Sequence, residues 1–300
     1  MTAVVTPTAP ANPPPAQVRW RVAVPVVVAL LAAAGALGSH LLFVRTWVGQ
    51  AVDEAAMRGA EVRHPQLIEV LHRTLDGTSL VSLGIASLIA ATIALMRRRL
   101  DLAVGAGVLV LGANLTTRAL KLNLDRPPLA APGPNSWPSG HTTAAVSVAF
   151  ALVLVLPYAM RAAVALAGTL YSTVIAVATV WAAWHRPSDT VAALLVVLGW
   201  GALVVGAIQL RRTLVRRQPD TGRSASRLAT MPLTLGATVS GAVGTIGLAA
   251  VLLSETVLPG LVSPLAPFVA ASAAIAGASA ATFLIWVRLA AGDVPANEDA

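Results

Sequence analysis

Long apolar runs alternate with short polar connections along most of the chain. The runs reach about 19 residues or more, enough to cross ~30 Å of hydrocarbon as α-helices. This pattern predicts an all-α fold, a polytopic membrane helix bundle with six to eight spans and no sizeable soluble domain. The eight candidate spans are 22–44, 78–96, 100–120, 142–160, 162–184, 190–210, 228–253 and 265–287.

Composition and charge agree with this interpretation. Of 300 residues, 56% are hydrophobic and only 11% are charged, which excludes an ordinary soluble globule. The formal net charge of +8 does not indicate a nucleic-acid partner, because the arginines fall in loops between apolar runs. If the spans alternate, thirteen arginines lie on one side: 19, 21, 97, 98, 99, 161, 211, 212, 216, 217, 223, 227 and 288.

The other side holds eight basic residues, so the arginine-rich side is predicted to be cytoplasmic, with both termini inside. We therefore expect a multi-pass protein of the plasma membrane. Tryptophans near the predicted span ends fit an interfacial aromatic belt; they are Trp20, Trp47, Trp184 and Trp286.

The predicted organisation has five parts, and the second carries the candidate chemistry. They are a disordered cytoplasmic N-terminus (1–21), a six-span core (22–210), a basic cytoplasmic linker (211–227), two further transmembrane helices (228–290) and a tail (291–300). The last two helices are rich in small residues, which suit close helix packing in lipid.

An amphipathic pattern over 50–77 predicts a helix that lies on the membrane surface or caps the outer ends of the spans. Its acidic residues, which include Asp53 and Glu54, are interpreted as a solvated face.

Three polar groups meet at one face if the spans alternate. The first is Arg118, Lys121, Asp125, Arg126 and Pro127; the second is 135–142; the third is 184–189. Two spans begin at this face, so their N-terminal N–H groups and positive dipole ends point toward it. With Lys121 and Arg126 they predict an anion site, and phosphate is the expected anion.

His185 and Asp189 are four residues apart at the start of a span. In a helical turn the carboxylate accepts from imidazole Nδ1–H, which fixes the tautomer and leaves Nε2 as a nucleophile. His141, at the other helix start, is then the candidate acid that protonates a leaving oxygen.

These residues resemble the motifs of the phosphatidic acid phosphatase type 2 superfamily. Residues 137–142 (Trp-Pro-Ser-Gly-His-Thr) look like its second motif, His185 with Asp189 like its third, and 121–127 like its first. The resemblance covers roughly 100–210. It implies a six-helix core and metal-independent phosphoester hydrolysis through a phosphohistidine on His185.

By position, the resemblance implies Asp189 as the partner of the nucleophile and His141 as the general acid. It makes Ser139, Gly140, Lys121 and Arg126 phosphate contacts.

The chain departs from the family pattern twice. Four residues separate Lys121 from Arg126, where the family has six, and Ala178 and Thr179 stand where it has Ser and Arg. Arg186 and Arg118 are the two candidates for the missing positive charge, and the sequence does not choose between them.

The leading hypothesis is therefore a hydrolase for a membrane lipid phosphate or diphosphate at the outer face. A non-catalytic lipid-phosphate-binding or transport protein of the same fold is the alternative, and an ordinary transporter is the third. No cofactor, metal or nucleic-acid partner is expected, and the absence of cysteine excludes thiolate chemistry.

Overall fold

The computed structural model describes residues 15–59, 69, 80–130, 133–215 and 225–291, and these contain helices and loops but no strand. The helices are α1 (Pro15–Ser39), α2 (Trp47–Gly59), α3 (Leu80–Met96), α4 (Leu100–Asn123), α5 (Gly140–Val155), α6 (Tyr158–Trp181), α7 (Pro187–Leu214), α8 (Arg227–Thr256) and α9 (Ala266–Ala291). A π-helical turn, His40–Val44, continues α1.

The predicted all-α membrane bundle is confirmed. Within the described residues, six helical segments are long and apolar enough to cross a membrane: Trp20–Val44, Leu100–Asn123, Tyr158–Trp181, Pro187–Leu214, Arg227–Thr256 and Ala266–Ala291. Two shorter apolar segments, Ser87–Met96 and Gly140–Val155, occupy the other two predicted spans.

Some helix ends differ from the predicted ones. α1 begins at Pro15, inside the predicted N-terminal tail, and α7 extends to Leu214, inside the predicted linker. α6 ends at Trp181, so residues 182–186 form a turn rather than a helix end. Parts of the predicted organisation lie outside the described residues: 1–14 of the N-terminal tail, 60–68 and 70–77 of the surface segment, 78–79 of the second predicted span, 216–224 of the linker and 292–300 of the C-terminal tail.

The centre of the bundle is built around α5 and α7. α5 packs against α4, α6 and α7, while α1 lies along α7 and α3 packs on α4 and α5. Val146, Phe150 and Val153 of α5 are fully buried. This packing holds the N-terminal ends of α5 and α7 side by side.

α8 and α9 pack closely because glycine lets their backbones approach. A Cβ on Gly244 would lie 2.4 Å from the backbone nitrogen of Ala274, and one on Gly277 would lie 2.5 Å from that of Gly241. α9 also joins the central bundle, because Trp286 stacks on Phe150 with ring centroids 4.6 Å apart. The prediction that Trp286 is an interfacial belt residue is wrong, since its side chain is fully buried in this stack.

α2 lies across the end of the bundle, in contact with α9, α8 and α7. The interpretation of its acidic face as solvated is wrong for Asp53, which is only 2% exposed. The reason is that Asp53 finds buried hydrogen-bond donors on α7, which are described with the site.

Candidate active site

The start of α5 is fixed by a serine cap. Ser139 is the N-cap residue, and its Oγ accepts from the backbone N–H of Thr142 at 3.3 Å. Its own N–H donates to the backbone oxygen of Asp189 at 2.9 Å, which joins the start of α5 to the start of α7. A Cβ built on Gly140 meets nothing within 4 Å, so open space borders the first residue of α5. The N-terminal N–H groups of a helix that border open space suit an anion.

His185 lies in the turn before α7, and Asp189 lies in the first turn of that helix. Asp189 is the third helical residue and reaches back: its Oδ2 accepts from the N–H of Arg186 at 3.0 Å, and lies 3.3 Å from His185 Nδ1. The predicted pairing is therefore present, although His185 itself precedes the helix. The carboxylate favours the tautomer with the proton on Nδ1, which leaves Nε2 as the basic nitrogen.

The turn that carries His185 is held by the end of α6. The N–H groups of Trp184 and His185 both donate to the backbone oxygen of Thr179, at 3.0 and 3.1 Å. Ala183 takes the left-handed conformation (φ +57°), which turns the chain back toward Thr179. The hydroxyl of Thr179 donates to the carbonyl of Ala176 within its own helix, so at this position the chain contributes a backbone acceptor rather than a cation.

Ser136 links the loop before α5 to the start of α7. Its Oγ donates to Asp189 Oδ2 at 2.6 Å and accepts from Arg186 Nη1 at 3.2 Å. The same loop is tied to the end of α4 because Asn135 Nδ2 donates to the carbonyl of Leu124 at 2.8 Å. Sequence reasoning named Ser136 as part of a motif but gave it no role.

His141 and His185 face each other at the two helix starts. Their ring centroids are 6.0 Å apart, and the rings are close to perpendicular. The ring of His141 also lies 5.5 Å from that of Trp184. His185 is buried and His141 is half-buried, so one nitrogen base is shielded while the other borders the surface.

Arg126 is a buried cation. Its side chain is 8% exposed, and none of its three guanidinium nitrogens has a hydrogen-bond partner among the described residues. Burial, and then the neighbouring charge of Arg186, lower the pKa of Arg126, although arginine stays protonated near neutral pH. A buried guanidinium without partners is unfavourable, and oxygen atoms of an anion are the partners that fit it best.

The other predicted cations differ in exposure. Arg186 is buried, and Gly133 lies beside its guanidinium, since a Cβ on Gly133 would be 3.5 Å from Nη2. Lys121, in the last turn of α4, is half-buried and near enough to Asp189 for their charges to interact. Arg118, one turn earlier, is exposed. The geometry thus brings Arg186, and not Arg118, into the buried cluster.

Two buried polar residues of α2 border the site and were not predicted. Gln50 Nε2 donates to the carbonyl of Pro127 at 2.7 Å, directly after Arg126. Asp53 Oδ2 accepts from Ser188 Oγ at 2.5 Å, directly before Asp189. Burial, and then the charge of Asp189, raise the pKa of Asp53 to about 7. The one available sequence signal was a polar pair, three residues apart, among small apolar residues.

The described residues contain no group of three or more His, Cys, Asp or Glu side chains that could hold a metal ion. The donors that do converge are two imidazoles, hydroxyls and guanidinium groups. This set is suited to binding a phosphoryl group and exchanging protons with it.

One comparison with known proteins found a match over the part of the chain that holds most of this cluster. Residues 113–213 match the model of the PAP2 superfamily, and they contain every candidate residue from Arg118 to Asp189. No curated protein and no solved structure matches the chain. The resemblance predicted from the motifs is confirmed for residues 113–213, about a third of the chain, which match the PAP2 superfamily.

Proposed function

We propose that the protein is a metal-independent phosphohydrolase that acts on a membrane lipid phosphate or diphosphate at the extracytoplasmic face. The match of residues 113–213 to the PAP2 superfamily supports phosphatase chemistry in general. The observation that carries the finer proposal is the pairing of His185 Nδ1 with Asp189 Oδ2 at 3.3 Å, with the His141 ring 6.0 Å away.

In the first step, His185 Nε2 attacks phosphorus while the bond to the lipid oxygen breaks and His141 gives that oxygen a proton. In the second step, water attacks phosphorus, the phosphorus–nitrogen bond breaks, and His141 takes the proton of the water. Asp189 stabilises the positive charge that develops on His185. The products are a lipid alcohol, or the lipid monophosphate when the substrate is a diphosphate, and inorganic phosphate.

The phosphoryl oxygens need positive partners in the transition state. We assign them to Arg126, Lys121 and the N–H groups at the start of α5, near Ser139 and Gly140. The family pattern has an arginine where this chain has Thr179. We assign its role to Arg186, because the guanidinium of Arg186 is buried next to Ser136 whereas Arg118 is exposed.

A lipid substrate is favoured because the site lies at the ends of apolar helices. Hydrolysis by purified protein should be measured on phosphatidic acid, phosphatidylglycerol phosphate, a polyprenyl diphosphate and a soluble sugar phosphate. We expect hydrolysis of at least one lipid and its complete loss in His185→Ala, with activity retained in EDTA. Preference for the sugar phosphate, or loss in EDTA restored by added metal, would contradict the proposal.

The second candidate function is a lipid-phosphate-binding protein without catalysis, and Thr179 is the observation that favours it. It predicts no hydrolysis of any lipid phosphate by purified protein, together with binding that is lost in Lys121→Ala and Arg126→Ala. The same substrate panel therefore separates the two functions.

A further inference from the structure

Gln50 closes the loop that follows the candidate phosphate-binding arginine. Its Nε2 donates to the carbonyls of Val44 and Pro127 at 2.8 and 2.7 Å. Its Oε1 accepts from the N–H groups of Leu129 and Ala130 at 3.3 and 3.2 Å. The side chain is fully buried, and all four of its hydrogen-bonding positions are used.

Asp53 lies three residues later on the same helix and binds the start of α7. Its Oδ2 accepts from Ser188 Oγ at 2.5 Å, and its Oδ1 accepts from Ser188 N–H at 3.2 Å. Ser188 is the second residue of α7, and its N–H has no acceptor within the helix. A side chain of α2 therefore caps the helix that carries Asp189.

Gln50 and Asp53 contact different parts of the site, but both side chains come from α2. Residues three apart on a helix are neighbours on its surface, roughly 5–6 Å apart at Cβ. Because α2 is a regular helix here, it holds the loop of Arg126 and the first turn of α7 at a fixed separation.

We propose that α2 is a clamp that positions Arg126 against the His185–Asp189 pair, with Gln50 and Asp53 as its positioning residues. The inference rests on the proposed function, because it names what sets the geometry of the same site. α2 lies outside the matched segment 113–213, so the two positioning residues come from a part of the chain that the match does not cover.

Packing alone does not account for these two residues. Ala55 and Ala56 are buried on the same helix and already supply apolar contact, with Ala55 packed against Val251 of α8. Burying an amide and a carboxyl group is unfavourable unless each is hydrogen-bonded. Both are bonded, and all but one of their contacts go to the two segments that carry the candidate site.

The first experiment measures kcat and KM for a lipid phosphate in purified variants. Gln50→Ala should raise KM on the order of 10-fold, and Asp53→Ala should lower kcat by roughly 10- to 100-fold, as expected for displaced groups. Asp53→Asn should stay within about threefold of the wild type, because its amide can accept from Ser188 N–H and donate to Ser188 Oγ. In an Arg126→Ala background, Gln50→Ala should add little, since both changes remove one interaction.

Arg58→Gln is the matched control on α2. Its side chain is 54% exposed and lies 3.6 Å from Glu255, so its loss should leave kcat and KM unchanged. If the alanine variants do not fold, Gln50→Met removes all the hydrogen bonds of the Gln50 side chain, and Ser188→Ala removes the one from Ser188 Oγ to Asp53 but keeps the one from its backbone N–H. Both changes cost little volume.

The second experiment does not depend on hydrolysis. Amide hydrogen exchange should accelerate at Leu129 and Ala130 in Gln50→Ala, and at Ser188 in Asp53→Ala. The dissociation constant of inorganic phosphate should rise on the order of 10-fold in Gln50→Ala. A protein that hydrolyses no lipid phosphate would refute the proposed function, while these two measurements would still judge the clamp.

The clamp is overturned if exchange accelerates at these amides but kcat, KM and phosphate affinity all stay within about twofold of the wild type. It is also overturned if Arg58→Gln has the same effects as the Gln50 and Asp53 variants.

Discussion

At the level of single residues, one oxygen atom connects three parts of the site. Asp189 Oδ2 accepts hydrogen bonds from the hydroxyl of Ser136 at 2.6 Å and from the N–H of Arg186 at 3.0 Å, and it lies 3.3 Å from His185 Nδ1. The orientation of the imidazole is thus coupled to the loop before α5 and to the cap of α7. A change in Ser136, or in the contact of Asp189 with the Arg186 N–H, should therefore alter the orientation of the His185 imidazole more than it alters the fold.

The two arginines that the sequence left as alternatives should respond differently. Arg186 is buried beside Ser136, whereas Arg118 is exposed on α4. We expect Arg186→Ala to lower kcat by roughly 10²- to 10³-fold, the typical effect of losing one charge-stabilising donor. Arg118→Ala should stay within about threefold in the same hydrolysis assay. A larger loss in Arg118→Ala than in Arg186→Ala would reverse the assignment.

Asp53 should make stability depend on pH. Its pKa is raised from 3.8 to about 7, so the folded protein binds a proton more tightly than the unfolded chain does. The contribution of Asp53 to the free energy of unfolding is therefore complete below about pH 4 and is lost as the pH rises to about 7. The loss is about 1.4 kcal/mol for each unit of pKa shift.

Asp53→Asn, which cannot ionise, isolates this effect. The melting temperature of the wild type minus that of Asp53→Asn, measured in detergent, should fall between pH 4 and 7 and level off above it. A difference that rises with pH over this interval would mean that Asp53 is stabilised as a carboxylate.

Residues with local partners could be predicted from the sequence, and residues with distant partners could not. The His185–Asp189 contact spans four residues and is visible as a spacing. Gln50 and Asp53 bind groups 77 and 135 residues away, respectively, so no local pattern reveals them. Because aspartate is rarely buried, the sequence favoured a solvated face, and the hydrogen bonds of Ser188 reversed that outcome.

At the level of helices, the contact between α8 and α9 depends on where glycine occurs. Gly244→Ala would place a Cβ 2.4 Å from the backbone nitrogen of Ala274, which cannot move away easily. Gly241→Ala, one turn earlier, meets nothing within 4 Å. We expect Gly244→Ala to destabilise the protein by about 1–3 kcal/mol, as overpacking does, and Gly241→Ala to be neutral or stabilising.

Thermal unfolding in detergent compares these two variants directly, since both add one methyl group to the same helix. Equal melting temperatures for the two variants would contradict the close approach of α8 and α9.

The eight apolar helices were predictable because length and hydropathy suffice to identify them. The ends of these helices were harder to predict, because capping residues set them. With Ser139 as its N-cap, α5 begins two residues before the predicted span. With Arg186 as its N-cap and Asp189 in its first turn, α7 begins three residues before residue 190. The first three residues of the turn at 182–186 lay inside the predicted span 162–184, so hydropathy extended the helix too far. Its form depends on the Thr179 carbonyl and on the left-handed Ala183, neither of which hydropathy reports.

At the level of the whole molecule, the orientation in the membrane can be tested with single cysteines, because the chain has none of its own. Asp125 lies in an exposed loop beside the candidate site, and Leu214 is 75% exposed at the opposite end of α7. A membrane-impermeant maleimide applied to intact cells should label Asp125→Cys and spare Leu214→Cys. Both should react after permeabilisation, whereas labelling of Leu214→Cys alone in intact cells would place the site inside.

The segment that matches the PAP2 superfamily is a third of the chain, but residues outside it also hold the candidate site in place. The matched segment contains both histidines, yet the loop of Arg126 and the start of α7 are held from outside it by α2. α2 in turn packs on α8 and α9, so the last two helices support the site indirectly.

His185 is the proposed carrier of the phosphoryl group, and the phosphorylated intermediate can be trapped. Purified protein is mixed with a lipid phosphate labelled on its terminal phosphate, quenched in alkali within milliseconds to seconds, and digested for mass spectrometry. We expect a phosphorylated peptide that contains His185, is absent in His185→Ala and is longer-lived in His141→Ala, where the second step lacks its base. Turnover with the label on another residue, or continued turnover in His185→Ala, would show that His185 is not the nucleophile.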